Sequence, residues 1–132
     1  MSEAEKIAPP APSVLSAEDA ALLDSVYAGD AGGVRKLMAD GADVNARHPE
    51  TGLTALHLAV GTNNYALTVY LIEKYGARFG PDRFGRWPTS IAARYRAAGK
   101  LCDYIVEQEA AALESGDHLL PSFFSSNASN SE

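Results

Sequence analysis

This 132-residue chain is poor in cysteine, in basic charge and in uninterrupted apolar sequence. Its single cysteine, Cys102, can close no intramolecular disulfide and has no second thiolate with which to build a metal site, so a reducing compartment, by default the cytoplasm, suits it. No apolar stretch has the length of a membrane span. The N-terminal Glu3, Glu5 and Lys6, followed by Pro and Ala, do not form a secretory leader. Lys and Arg total 11 against 17 Asp and Glu, a net charge of −6, which disfavours nucleic acid because phosphate binding depends on clustered cations that displace counterions. The three histidines, His48, His57 and His118, have no partner at ligand or triad spacing, and no glycine loop ends in the Gly-Lys-Ser/Thr of a phosphate cradle. The expectation is therefore a protein without catalytic residues, metal or cofactor, outside any membrane, and monomeric.

Hydrophobic residues make up 46% of the chain, enough for one small domain. Pro9, Pro10 and Pro12 mark residues 1–15 as a disordered lead, and the Ser/Asn-rich end marks 116–132 as a flexible tail, leaving 16–115 as the folded part. Strand-like alternation is missing there, while apolar residues recur at helical spacing between Gly- and Asp-containing turns, so the fold class is all-α. Ser16 with Asp19 three residues later opens a first helix to about Ala28 that turns Leu22, Leu23 and Val26 inward. Asp30 caps a second carrying Val34, Leu37 and Met38, which Gly41 stops. Four more are expected over about 54–60, 66–75, 88–97, and from Gly99 to about Leu113.

Self-comparison exposes a repeat. Gly41-Ala42-Asp43 recurs as Gly76-Ala77-Arg78, 35 residues on, and Gly52, Thr54, Leu58 and Ala59 align at a spacing of 33 with Gly85, Trp87, Ile91 and Ala92. With Gly41-Ala42-Asp43-Val44-Asn45-Ala46 and Thr54-Ala55-Leu56-His57-Leu58-Ala59 in that order, the chain resembles the ankyrin repeat family. That resemblance implies an ankyrin solenoid of three helix-turn-helix units joined by projecting hairpins: an N-terminal cap (16–46), one full repeat (47–78) and a C-terminal cap (79–115). It also implies that the Thr54 hydroxyl caps its helix, that His57 bonds neighbouring turn backbone, and that small Ala59 lets helices approach. The chain departs from the pattern by one extra residue around His48-Pro49-Glu50-Thr51, another near Gly61-Thr62-Asn63-Asn64, and one too few between Arg78 and Gly85. In the third unit Trp87 stands where a capping Thr is expected and Ser90 where the His is expected.

The charge is unevenly spread. Residues 1–73 and 101–132 each carry −6, whereas 74–100 carries 7 basic side chains against 1 acidic, together with Tyr75, Phe79, Phe84, Trp87 and Tyr95. In the resembled family, partners bind hairpin tips and the exposed face of each first helix. Arg83, Phe84, Arg86 and Arg94 fall at such positions in the third unit, and Tyr27, Glu50, Thr51 and Leu53 in the earlier ones. The alternative for these arginines is a solvated face or pairing with the acidic last helix through Glu107 and Glu109, with Phe84 and Trp87 filling the end of the stack. The expected function is non-catalytic binding of a partner protein with an acidic or aromatic surface through the concave face and hairpin tips. Alternatives are a small inhibitor or immunity-type regulator that occludes an enzyme's active site and, below it, a nucleic-acid-associated protein. Leu119-Leu120-Pro121-Ser122-Phe123-Phe124 reads either as a docking motif or as a segment folded back over the last unit.

Overall fold

The computed structural model describes residues 15–116, 118 and 119. Among them the chain forms six helices: α1 (Ala17–Ala28), α2 (Ala31–Ala39), α3 (Ala55–Gly61), α4 (Tyr65–Tyr75), α5 (Pro88–Arg94) and α6 (Gly99–Ser115). The expected lead falls almost wholly outside the described residues, as does the tail beyond Leu119.

Polar side chains start several of the helices, Ser16 and Asp30 as expected and Asn64 besides. Ser16 Oγ accepts the Asp19 N–H at 3.1 Å, Asp30 Oδ1 accepts that of Gly33 at 3.0 Å, and Asn64 Oδ1 that of Leu67 at 3.1 Å. Each satisfies one donor that the first turn leaves unpaired. Pro88 starts α5 and Trp87 offers no side-chain cap. The missing acceptor comes instead from the next helix, where Glu109 Oε1 takes the Thr89 N–H at 3.0 Å. Ser90, in the register of His57, is exposed.

The helices pair as α1 with α2, α3 with α4 and α5 with α6, while α1, α3 and α5 stack side by side as an inner row. Between the layers lies one core containing Leu22, Val26, Val34, Leu56, Val60, Leu71, Ile91 and Ile105. Ala55, Ala59 and Ala92 sit on the inner row with almost no exposed surface, small enough for neighbouring helices to close on one another. Leu37 and Met38 pack against this core half-buried.

Backbone N–H groups donating to side-chain oxygens add three ties, one within the first unit and two between successive units. The Asp43 N–H reaches Asp19 Oδ1 at 2.8 Å, the Arg78 N–H reaches Asn45 Oδ1 at 2.9 Å, and the Ala98 N–H reaches Asn63 Oδ1 at 2.9 Å. The segment beyond α6 turns at Gly116, φ +78°, and folds back. There the Leu119 N–H donates to the Phe79 carbonyl at 2.6 Å, and the His118 ring lies 5.8 Å from that of Trp87. A Cβ on Gly80 would collide with the Leu119 carbonyl, so glycine makes this approach feasible. Leu120 to Phe124 lie outside the described residues.

Helix α5 stops three residues before the expected Ala97. The reason is a left-handed residue, Arg96 at φ +56°, after which the Ala97 N–H closes on the Ala92 carbonyl at 2.9 Å. Asn63 at φ +58° and the Asn64 N–H bonded to Ala59 O make the same closure one unit earlier. Asparagine tolerates this conformation and arginine does not, the cost for an L-residue being ~1–2 kcal/mol. Arg96→Gly is therefore expected to raise unfolding free energy by ~0.5–1 kcal/mol after the entropy of glycine is set against that strain. A urea midpoint equal to or below that of the wild type would count against strain at Arg96.

Candidate partner-binding groove

Stacking α1, α3 and α5 side by side leaves a furrow along their outward face, and the residues at their C-terminal ends decide its shape. Tyr27 closes α1, Gly61 and Thr62 end α3, and Tyr95 caps α5. Two exposed aromatic rings thus flank a low middle, forming a groove of about 300 Å³ floored by Leu58 and Ile91. Tyr27 is 68% exposed and Tyr95 55%. Leu53, His57 and Arg86 complete the wall on the hairpin side. A second hollow of about 200 Å³ adjoins it, sharing Tyr27, Leu53 and Leu58 and adding Leu23, Asp24 and His48. The two run together across all three units.

His57 fixes the geometry of this floor. Its Nε2 lies 2.9 Å from the Arg86 carbonyl, which can only accept, so Nε2 carries the proton. Nδ1 must then accept, and it takes the Thr54 N–H at 3.2 Å and the Thr54 hydroxyl at 3.0 Å. The same hydroxyl oxygen accepts the His57 N–H at 3.4 Å, closing a reciprocal cap on α3. Burial pushes the imidazole down to about 4, against the opposing pull of the Arg86 carbonyl and the Asp82 carboxylate. The ring is neutral and bridges the second unit to the hairpin of the third.

That hairpin is wound around Asp82, whose side chain is fully buried. Oδ1 accepts the Phe84 and Arg86 N–H groups, both at 2.9 Å, and Oδ2 accepts Arg86 Nε at 2.7 Å. The Arg86 guanidinium also lies 5.2 Å over the Phe84 ring, which is 66% exposed. The hairpin before it docks alongside, the Arg83 N–H donating to the Thr51 carbonyl at 2.8 Å. Arg47 spans both, donating from Nη1 to Gly52 O at 3.0 Å and Pro81 O at 2.6 Å. Arg94 ends α5 with its guanidinium 5.9 Å from the Tyr95 ring.

Of the residues singled out in the sequence, Tyr27, Leu53 and Arg86 meet in the groove. Glu50, Thr51, Arg83 and Phe84 stand on the two joined hairpins, and Arg94 lies beside Tyr95 at the groove's end. Arg86 is anchored to Asp82 rather than to Glu107 or Glu109, and Glu109 is bonded to Thr89. The basic centre also divides: Lys100 lies 4.5 Å over the Tyr65 ring on the outer helices, away from the hairpins. Sequence reasoning missed Leu58, Thr62, Ile91 and Tyr95 as groove residues. The repeat register held the signal, since Thr62 and Tyr95 are 33 apart and end equivalent helices. Asp24 and His48 had none, because only the fold brings them beside Tyr27. Among the described residues no three His, Cys, Asp or Glu side chains group to hold a metal ion, and no helix is long and apolar enough to cross a membrane.

The profile of the family described as ankyrin repeats, in three copies, matches residues 22–116, which contain every groove residue. The chain belongs to the ankyrin repeat family. Two bracovirus proteins of Microplitis demolitor bracovirus (isolate Webb) are among its relatives. I-Kappa-B like protein G1 is 46% identical over 44 residues, 33% of this chain, and I-Kappa-B like protein C2 is 34% identical over 74 residues, 56% of this chain. These matches take in 25% and 41% of the two relatives' own lengths.

Two measurements check the ankyrin floor and hairpin. His57 is neutral when folded and holds its ordinary value of 6.5 when unfolded, so the unfolded chain takes up the proton first as pH falls. Stability is fully present above pH ~6.5 and declines toward pH ~4, by ~3 kcal/mol in total. Burial raises the Glu109 carboxyl, which favours the native state as pH falls and so acts in the opposite sense. Urea melts of wild type and His57→Gln at several pH values isolate the histidine, and parallel slopes for the two proteins would refute the assignment. Arg86→Ala removes a charged hydrogen bond from a buried carboxylate and is expected to cost ~1.5–3 kcal/mol by the same measurement, with partial recovery in Arg86→Lys.

Proposed function

We propose that this ankyrin stack is a non-catalytic binding protein that holds a segment of a partner protein along the groove from Tyr27 to Tyr95. The observation that carries this reading is the groove itself, an apolar furrow across three units walled by exposed tyrosines on a rigid frame. Exposed Tyr beside Arg is a composition that concentrates binding energy, since both combine large contact area with directional hydrogen bonding. Arg83 and Arg94 make the third-unit end basic, and Asp24 and Glu50 make the first-unit end acidic. The partner segment accordingly carries acidic or aromatic side chains toward Tyr95. The names of the two bracovirus relatives add a second reading in the same site, a regulator of the inhibitor type that masks a working surface of its partner.

The test spares Arg86, whose loss would unsettle Asp82. Wild type and a Tyr27→Ala/Arg94→Glu/Tyr95→Ala variant are used as bait in extract of the native host. Their thermal melts should match, because all three side chains are exposed. The variant is expected to bind the captured partner at least tenfold more weakly, since each anchor contributes on the order of 1–2 kcal/mol. Equal retention of the same partner by both proteins would sink the groove reading. Assaying that partner with and without the chain then separates inhibition from scaffolding.

A further inference from the structure

Helix α6 presents a second surface, unconnected with the groove. Its inward side packs Leu101 and Ile105 into the stack. On the outward side Val106, Ala110 and Leu113 follow one another at i, i+4 and i+7, a single stripe along the helix. Val106 is 51% exposed and Leu113 47%, although both are large apolar side chains. Asp103, Glu107 and Glu114 are exposed too and form an adjacent ridge at i, i+4 and i+11. Residues 101–132 contain no Lys or Arg with which to balance it.

The helix ends in electrostatically poor condition. Its last turn has no basic side chain, yet Glu114 stands there, at the negative end of the helix dipole. Like charge along one ridge and at the C-terminus is a cost that a cationic partner would relieve. His118 and Leu119 do not cover the stripe, because they lie against Phe79, Gly80 and Trp87. A second copy of the chain stacked through the same face would set acidic ridge against acidic ridge. It would meet acid again at α1, where Glu18, Asp19 and Asp24 lie.

From these features we infer that the outward face of α6 docks a basic amphipathic helix of a partner protein. Apolar side chains of that helix cover Val106, Ala110 and Leu113, and its Lys and Arg residues meet Asp103, Glu107 and Glu114. At 17 residues α6 is ~25 Å long, which leaves room for a partner helix of about four turns, ~22 Å. Apolar contact supplies affinity and the ridge supplies orientation and partner choice.

A labelled synthetic peptide of about four helical turns, with Leu at helical spacing and Lys and Arg along the flank, is titrated with the full chain and followed by fluorescence anisotropy. Binding is expected to weaken at least tenfold in Val106→Glu/Leu113→Glu and several-fold in Glu107→Lys. It should also weaken several-fold between about 50 and about 300 mM salt, and be unchanged in Tyr27→Ala/Tyr95→Ala. All five altered side chains are exposed, so melts that match wild type certify the fold. The proposal is overturned by equal affinity for a peptide with Lys and Arg replaced by Glu, or for one of the same composition with the spacing scrambled. Binding lost in the Tyr variant but kept in Val106→Glu/Leu113→Glu would place the peptide in the groove and overturn it as well. Light scattering that shows a dimer abolished by Val106→Glu/Leu113→Glu would assign the face to a second copy instead.

Discussion

Much of the structure depends on one uncharged imidazole. Among the described residues His57 is the only side chain that both caps its own helix, with Thr54, and donates to the next unit, at the Arg86 carbonyl. That carbonyl belongs to the residue whose guanidinium grips buried Asp82. The chain of contacts therefore runs from helix α3 to the hairpin of the third unit without passing through solvent. Low dielectric strengthens such bonds, and it is also why the ring resists a second proton. The depressed histidine is thus a structural requirement, and it gives no sign of acid–base chemistry.

The same constraint places the groove. Because hairpin and inner helix are fixed relative to one another at His57, Leu53 and Arg86 stand at set positions above Leu58 and Ile91. A protein that pairs its units through local polar bonds needs little core per unit, and small Ala55, Ala59 and Ala92 suffice where the helices touch. The cost falls on the last unit, where Trp87 and Ser90 replace the capping residues. Glu109 from the neighbouring helix and the folded-back His118 and Leu119 make good part of that loss.

The helix order, the caps at Ser16 and Asp30 and the inward set of Leu22, Leu23 and Val26 were readable in the sequence from short-range patterns, while the Thr54 cap came through the family resemblance. The role of His57 was readable only through family resemblance, its partner Arg86 being 29 residues away. The early end of α5 was not, because Arg96 gives no local sign of adopting a left-handed conformation. The charge segregation was visible, but its meaning was not. A run of basic residues in sequence divides between hairpin and outer helices once α4, α5 and α6 take their places, and Arg86 proves to be committed internally.

The hairpin wound around Asp82 has one more consequence. A loop that must settle into a single conformation when it meets a partner loses entropy on binding, and that loss weakens the complex. Here the loss is incurred when the protein folds. Phe84 already projects from a backbone held on either side, at Arg83 through Thr51 and at Arg86 through Asp82, before anything approaches. Anything that meets this tip meets a surface already in its final shape, a condition that favours rigid docking over ordering on contact.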